Sequence, residues 1–433
     1  MNRYKIFISC VLPAVLSFAL SGIYAIVDGF FVGRSIGDIG LSAINVAYPI
    51  TALIQAVGTG IGMGGAVIYS LRLGENRNME AKNCMCGTIW GLVISSVLLT
   101  VILFPLIDPI LRLMGAEGSL LLLGRDYLKV IIAGAVLQVF GTGIVPMIRN
   151  NNGSIYAMFC MVAGFLTNIF LDYAFVGVLR WGMTGAAIAT IIGQGVTMMG
   201  GCCYLVMKKL IYRGKLQNAI KILPPICKVG LAPFGTTMCP MVSLLFMNKA
   251  SLTYGGESSV ACYACIAYIT SIIHLLLQGV GDGSQPLMSR YYGAGNTKEV
   301  KQTKKLAYIT ALLISVACMG LIFVCRYGIG KLFGASDMVS AATGKALPIF
   351  LMGAPFMAIS RVTTAAFYAI NKNVFSYILV YAEPASLFLF LLFLPLVVGQ
   401  NGVWWSMVFS QILTAIIAFG LIIYTDAKSK RAN

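Results

Sequence analysis

The sequence predicts an all-α membrane protein: twelve transmembrane helices in two six-helix lobes related by a parallel pseudo-two-fold repeat. Three observations carry this. Of the 433 residues, 59% are hydrophobic and only 10% charged, against roughly 25% charged in a typical soluble protein. Apolar runs of spanning length recur along the whole chain. The second half repeats the first. So little charge cannot cover a soluble surface, which excludes a soluble enzyme, a disordered scaffold and a disulfide-built secreted domain.

A helix needs about 20 apolar residues to cross the hydrocarbon core. In order, such runs fall at 7–33, 41–71, 84–107, 127–148, 154–178, 183–207, 227–253, 259–290, 305–326, 343–370, 374–398 and 402–424, divided by Gly, Pro and charge. Arg3 and Lys5 precede the first run. That run is too long for a signal peptide and lacks a small-residue cleavage site. The charges then orient the chain. There are 31 Lys and Arg against 14 Asp and Glu, a formal net charge of +17. In a soluble protein this would suggest nucleic acid. With the first residue inside, the inner segments hold 21 basic and 4 acidic residues, the outer segments 8 and 6, and the spans 2 and 4. The excess is therefore an orientation signal. It places both termini in the cytoplasm and makes anionic lipid, not nucleic acid, the partner of the basic loops. The 12 cysteines form no framework; Cys202-Cys203, Cys84-x-Cys86 and Cys262-x-x-Cys265 lie in or beside spans and read as packing residues.

The repeat defines the lobes. Residues 49–82 align without gaps on 268–301, with ten of 34 positions identical, including Gly60, Gly62, Gly64 and Gly74. Gly185 to Gln194 similarly matches Gly402 to Gln411. An N-terminal six-helix lobe is expected over 1–207, a basic cytoplasmic linker over 208–226, and a C-terminal lobe over 227–433. Six spans per lobe bring both lobes in from the same side, so the repeat is parallel. Secondary transporters use internal repeats to set a substrate cavity between two rocking halves. The glycines of span two, Gly58 to Gly65, read first as close-packing positions and second as points of bending.

Four acids lie within spans: Asp28, Asp172, Asp282 and Glu383. A carboxylate in lipid is costly unless protonated, paired or solvated, and is a functional candidate by default. Helical rise puts Asp28 about 30 Å and Asp172 about 27 Å beyond the inner ends of their spans. Both fall in the outer half, and Thr190 lies at a comparable level. Tyr24 is one turn inward of Asp28 and Asn168 one turn inward of Asp172, each on the same face. These oxygens suit a Na⁺ site at Asp28, Asn168, Asp172 and Thr190, or a proton site; they also suit solvated helix ends at the outer interface. Asp282 either lines a cavity or pairs with His274, two turns away. Glu383 precedes Pro384 and is placed to satisfy backbone groups freed there. Lys249 and Arg361 either snorkel or pair with acids. With Asp282, His274 and Glu383 they form a set of secondary cavity candidates. No HExxH, GxSxG or paired-carboxylate metal motif supports a membrane enzyme.

The residues resemble one family along essentially the whole chain. Ile26-Val27-Asp28-Gly29-Phe30-Phe31-Val32-Gly33, with Pro13 upstream, is followed by the glycine-rich second span ending in Arg72-Leu73-Gly74. Then come Asn168-x-x-x-Asp172, Gly185-Ala186-Ala187-Ile188-Ala189-Thr190, Gln285-Pro286-Leu287 and Tyr292-Gly293-Ala294. Together they resemble the multidrug and toxic compound extrusion (MATE) transporters, most closely the branch of DinF- and MepA-like exporters. The resemblance implies two six-helix bundles around a V-shaped cavity in a bacterial inner membrane, acting as a monomer without a cofactor. It implies efflux of amphiphilic, often cationic drugs by H⁺ or Na⁺ antiport. It also implies a first-lobe cation site at Asp28, Asn168, Asp172 and Thr190 with Tyr24, and bending of the first helix at Pro13. The NorM-like branch also uses acids in spans seven and ten; here those spans carry Asn248, Lys249 and Arg361, which favours first-lobe coupling. A lipid-linked precursor or polysaccharide flippase of the same superfamily would need a more cationic cavity. A non-transporting receptor or assembly protein is the reading from another class; the absence of a soluble domain speaks against it.

Overall fold

A computed structural model describes the backbone of residues 3–210, 216–332 and 335–432. Its helices are α1 (Arg3–Ile36), α2 (Asp38–Gly74), α3 (Asn78–Leu103), α4 (Ile107–Leu113), α5 (Gly118–Ala133), α6 (Ala135–Asn150), α7 (Ser154–Asp172), α8 (Gly182–Met207), α9 (Leu216–Gly293), α10 (Thr297–Leu332), α11 (Asp337–Met352), α12 (Ala354–Ala369), α13 (Asn373–Val398) and α14 (Gln400–Ala432). Among the described residues, nine helices are long and apolar enough to cross a membrane, and eleven spans result if α5–α6 and α11–α12 each count as one bent span. α9 runs 78 residues with a non-helical break at Gly256 (φ 70°) and so holds two spans. Twelve spans follow. The break falls between the two expected apolar runs, 227–253 and 259–290. Part of the expected linker, residues 211–215, lies outside the described residues.

The repeat extends to irregularities that the composition does not reveal. Spans four and ten bend by 59° and 44°, one at Gly134 and the other at Gly353, positions 219 apart like the matched sequence blocks. The turns after them also correspond: Asn152 (φ 61°) and Asn371 (φ 59°) both adopt the left-handed region that Asn tolerates better than most side chains. Two features have no signal in the apolar runs. The short α4 follows α3 after Pro105, and Arg125 of α5 holds its Asp108 through two hydrogen bonds, Nε donating at 2.6 Å. That guanidinium keeps the exposed Asp108 carboxyl below the usual carboxylate range. Span five is α-helical only to Asp172 and continues as a π-helix over Tyr173–Val178, a widened turn often found at functional sites.

Residues 1–238 and 289–297 form one compact unit, and residues 239–288 and 298–433 a second. The first unit is closed by glycine contacts. Gly58 and Gly62 of α2 meet the backbones of Val139 and Gly143 of α6, while Gly60 and Gly64, on another face, meet Gly230 and Ile226 of α9. Small residues four apart let helix backbones touch, and in lipid that packing replaces the hydrophobic driving force. The opening turns of α9 therefore belong with α2. The unit's core holds Leu92, Leu128, Ile131, Ile144 and Met147, all at most 2% exposed. The second unit centres on an aromatic cluster in which Tyr263 lies 6.1 Å and Phe350 5.5 Å from the Trp404 ring.

These contacts make one substitution informative. A Cβ at Gly62 overlaps the Gly143 backbone, which cannot rotate away, so Gly62→Ala is expected to cost at least about 1–3 kcal/mol as overpacking. Gly320→Ala on α10 meets nothing within 4 Å and should be neutral or slightly stabilising. Thermal unfolding in detergent separates the two; equal melting temperatures would contradict the close-packing account.

Candidate cation site

The first unit gathers the expected polar residues at one place. Asp28 comes from α1, Asn168 and Asp172 from α7, and Thr190 from α8. Asp172 is 0% exposed and Asn168 2%. The Asp28 and Asp172 carboxyl groups lie within hydrogen-bond reach of each other. Yet Asp28 Oδ1, both Asp172 oxygens and both Asn168 amide atoms are buried without a donor or acceptor partner among the described residues. Two carboxylates in contact repel strongly at low dielectric. Such a pair is stable only with a proton shared between its oxygens or a cation bound to them. The unpartnered oxygens are hard donors, as Na⁺ requires. Among the described residues no third acid, histidine or cysteine joins them as a metal cluster; an amide and a hydroxyl complete the oxygen set.

Local structure explains the convergence. Tyr24 stacks flat on Phe165 of α7 with centroids 5.1 Å apart, and Phe31 meets Tyr173 edge-on at 6.4 Å. These contacts on either side of Asp28 pin α1 to α7 and to the π-turn that follows it, and hold Asp28 against Asp172. Asp172 is the last α-helical residue before the π-turn. Thr190 bonds back to the Ala186 carbonyl at 3.0 Å, and the Tyr24 hydroxyl reaches it. α1 runs through Pro13 as one helix, and the Ser17 hydroxyl donates to the Pro13 carbonyl at 2.6 Å.

Sequence reasoning missed Tyr127. It is 5% exposed on α5, its hydroxyl reaches Thr190, and it lies within electrostatic reach of both acids. The available signal was its spacing. Gly124, Tyr127, Leu128 and Ile131 form the buried face of α5, so a hydroxyl there had to find an internal partner.

The secondary candidates lie in the second unit and sort differently. Arg361 of α12 donates to Glu383 of α13 at 2.7 Å, with side chains 6% and 11% exposed. The Glu383 carboxylate thus serves an ion pair, while its backbone carbonyl accepts from Ser386. Asp282 accepts from the Tyr368 hydroxyl at 2.7 Å. His274 instead bonds Gln278, one turn along α9, and lies within electrostatic reach of Arg361. The expected Asp282–His274 alternative gives way because α12 packs directly on that face of α9: a Cβ on Gly281 would sit 3.0 Å from Ala365. Lys249 lies on an exposed face of α9.

Comparison with known proteins identifies the family and the fold. The family profile described as MatE matches residues 13–174 and 231–383. The chain belongs to the MATE family. It is 24% identical over 422 residues to the multidrug export protein MepA of Staphylococcus haemolyticus, covering 97% of this chain and 93% of that one. It is 23% identical over 424 residues to MepA of Staphylococcus aureus. An outward-facing multidrug resistance MATE transporter of the MOP superfamily shares its fold, with a TM-score of 0.91 at 24% identity over all of this chain and 97% of that one. A MOP superfamily transporter from Pyrococcus furiosus, described as having a binding pocket of reversed polarity, superposes with a TM-score of 0.90 at 25% identity, covering 97% of this chain and 95% of that one. As a MATE protein with many apolar helices, the chain is a multi-pass membrane protein.

Proposed function

We propose that this MATE protein exports amphiphilic organic cations by H⁺- or Na⁺-coupled antiport, with Asp28, Asp172, Asn168, Thr190 and Tyr24 forming the coupling site. The observation that carries this reading is the buried acid pair: the two carboxyl groups are in reach of each other, and among the described residues Asp28 Oδ1 and both Asp172 oxygens find no hydrogen-bond partner. A site of this kind binds a small cation when the cation is available and repels anions when it is not. Alternating access follows if the cation and the drug favour different states. The site then couples them only by the difference in affinity between those states. The MepA relatives, aligned over 93% of their length, are named as multidrug exporters, which supports the drug class. The work is transport, and no bond is made or broken. In this reading the protein acts as a monomer in the cell membrane, and the basic loop bias supports cytoplasmic placement of both termini.

Against a flippase for phosphate-linked lipids stands the second unit, where the buried Arg361 is already neutralised by Glu383. The test is reconstitution into liposomes under an imposed pH or Na⁺ gradient, following a fluorescent organic cation and a labelled lipid in parallel. Gradient-dependent movement of the organic cation, abolished by an ionophore, is expected. Gradient-driven lipid movement without cation movement would overturn the assignment.

A further inference from the structure

The second unit carries a concentration of positive charge that the coupling site does not use. It lies at one end of the unit: Lys301, Lys304 and Lys305 on the first turns of α10, Lys372 in the turn between α12 and α13, and Lys428 near the end of α14. Lys304 lies within electrostatic reach of Lys301, Lys372 and Asp426. Lys372 lies within reach of Asp426 and Lys428. Even with Glu299 on the first turn of α10, lysines outnumber carboxylates. Lys304 is half-buried, with its ammonium 5.8 Å from the Tyr308 ring centroid. The Tyr308 hydroxyl is tied to Thr363 at 2.7 Å, so this platform is fixed. Burial holds the Lys372 ammonium below the ordinary lysine range, with Asp426 opposing it and Lys428 adding to it. A further anion at this end would favour the charged form of these half-desolvated lysines.

A second observation says which anion. Lys301, Lys305, Ile309 and Leu313 follow one another at intervals of four along α10, and Val316 continues the same face. Ile309, Leu313 and Val316 are 44%, 66% and 60% exposed, and most of the apolar stretch of α10 is not buried. One helix face therefore passes from ammonium groups directly into bare hydrocarbon-facing side chains. A free phosphate would use only the first part; a soluble partner would have no access to the second. Basic pockets at helix ends hold anionic lipid headgroups by this chemistry.

We propose that this face of the second unit binds an anionic phospholipid, with its phosphodiester against Lys301, Lys304 and Lys372 and an acyl chain along Ile309, Leu313 and Val316. The full chain in neutral detergent is titrated with dioleoylphosphatidylglycerol, dioleoylphosphatidylcholine or inorganic phosphate, reading the melting temperature and the lipid retained in native mass spectrometry. The phosphatidylglycerol should raise the melting temperature and stay bound, and the other two should do neither. At about fivefold in affinity per lysine, Lys304→Gln/Lys372→Gln should weaken its binding about 30-fold. Lys301→Gln/Lys305→Gln alters only exposed side chains and keeps the test open should the first pair fail to fold. It should weaken binding in the same direction, and Lys208→Gln/Lys209→Gln, at the end of α8 in the other unit, should leave it unchanged. Equal retention of phosphatidylcholine, an equal shift with phosphate alone, or equal weakening by the control pair would each overturn the proposal. No readout depends on transport, so failure here is distinct from failure of the antiport reading.

Discussion

Asp28→Asn and Asp172→Asn are each expected to reduce ion-driven efflux in liposomes to the level of protein-free vesicles, while the protein still folds and inserts. An amide matches a carboxyl in shape and cannot ionise, so each change removes one charge and leaves the packing of α1 on α7 intact. Tyr24 on Phe165 and Phe31 on Tyr173 hold that packing independently of the acids. The buried like-charge contact also disappears, so melting temperatures should stay level or rise. Drug binding should persist in both variants and lose its dependence on pH or Na⁺, because the coupling free energy, typically about 1–3 kcal/mol, has no ion left to supply it. If either variant transports normally, its carboxylate is not part of the coupling. If both lose drug binding along with ion dependence, the acids hold the drug itself.

Much of this site was legible in the sequence because it rests on helical geometry alone. Rise per residue set Asp28 and Asp172 at one height, and the one-turn spacing placed Tyr24 and Asn168 beside them. What the sequence left open was whether those faces turn towards each other or towards the outer water. Asp172, at 0% exposure, faces inward. Tyr127 escaped because it carries no charge and sits on an otherwise ordinary apolar face. The bends at Gly134 and Gly353 escaped for a related reason: a lone glycine in an apolar run reads as a packing position, and only the geometry of the neighbouring helices makes it a hinge between α5 and α6 or α11 and α12. The span count survived because it depends on chain length through hydrocarbon, which a bend does not alter. Pairing in the second unit was the least legible part. His274 and Asp282 share a helix and invite a local pairing. The partners actually used, Tyr368 and Glu383, come from α12 and α13 at separations of 86 and 22 residues from Asp282 and Arg361, which no local spacing encodes.

The Arg361–Glu383 pair gives the largest expected effect on stability. Arg361→Met leaves the Glu383 carboxylate almost wholly buried with its cation gone. Breaking a buried pair in this way costs about 3–5 kcal/mol, because the remaining charge has lost its solvation and gained nothing. Replacing both partners removes that penalty. Arg361→Met/Glu383→Leu should recover most of the lost stability and, if the side chains pack well, equal the original. The comparison is a double-mutant cycle read by thermal or denaturant unfolding in detergent, with a coupling energy well outside the error of additivity. Equal losses in the single and double variants would mean that Arg361 acts through its hydrocarbon packing instead. The same cycle bears on function. If the pair only fixes the register of α12 against α13, the double variant transports as the original does. If it transports poorly although it is stable, the charges themselves are used, and the second unit takes part in handling the substrate.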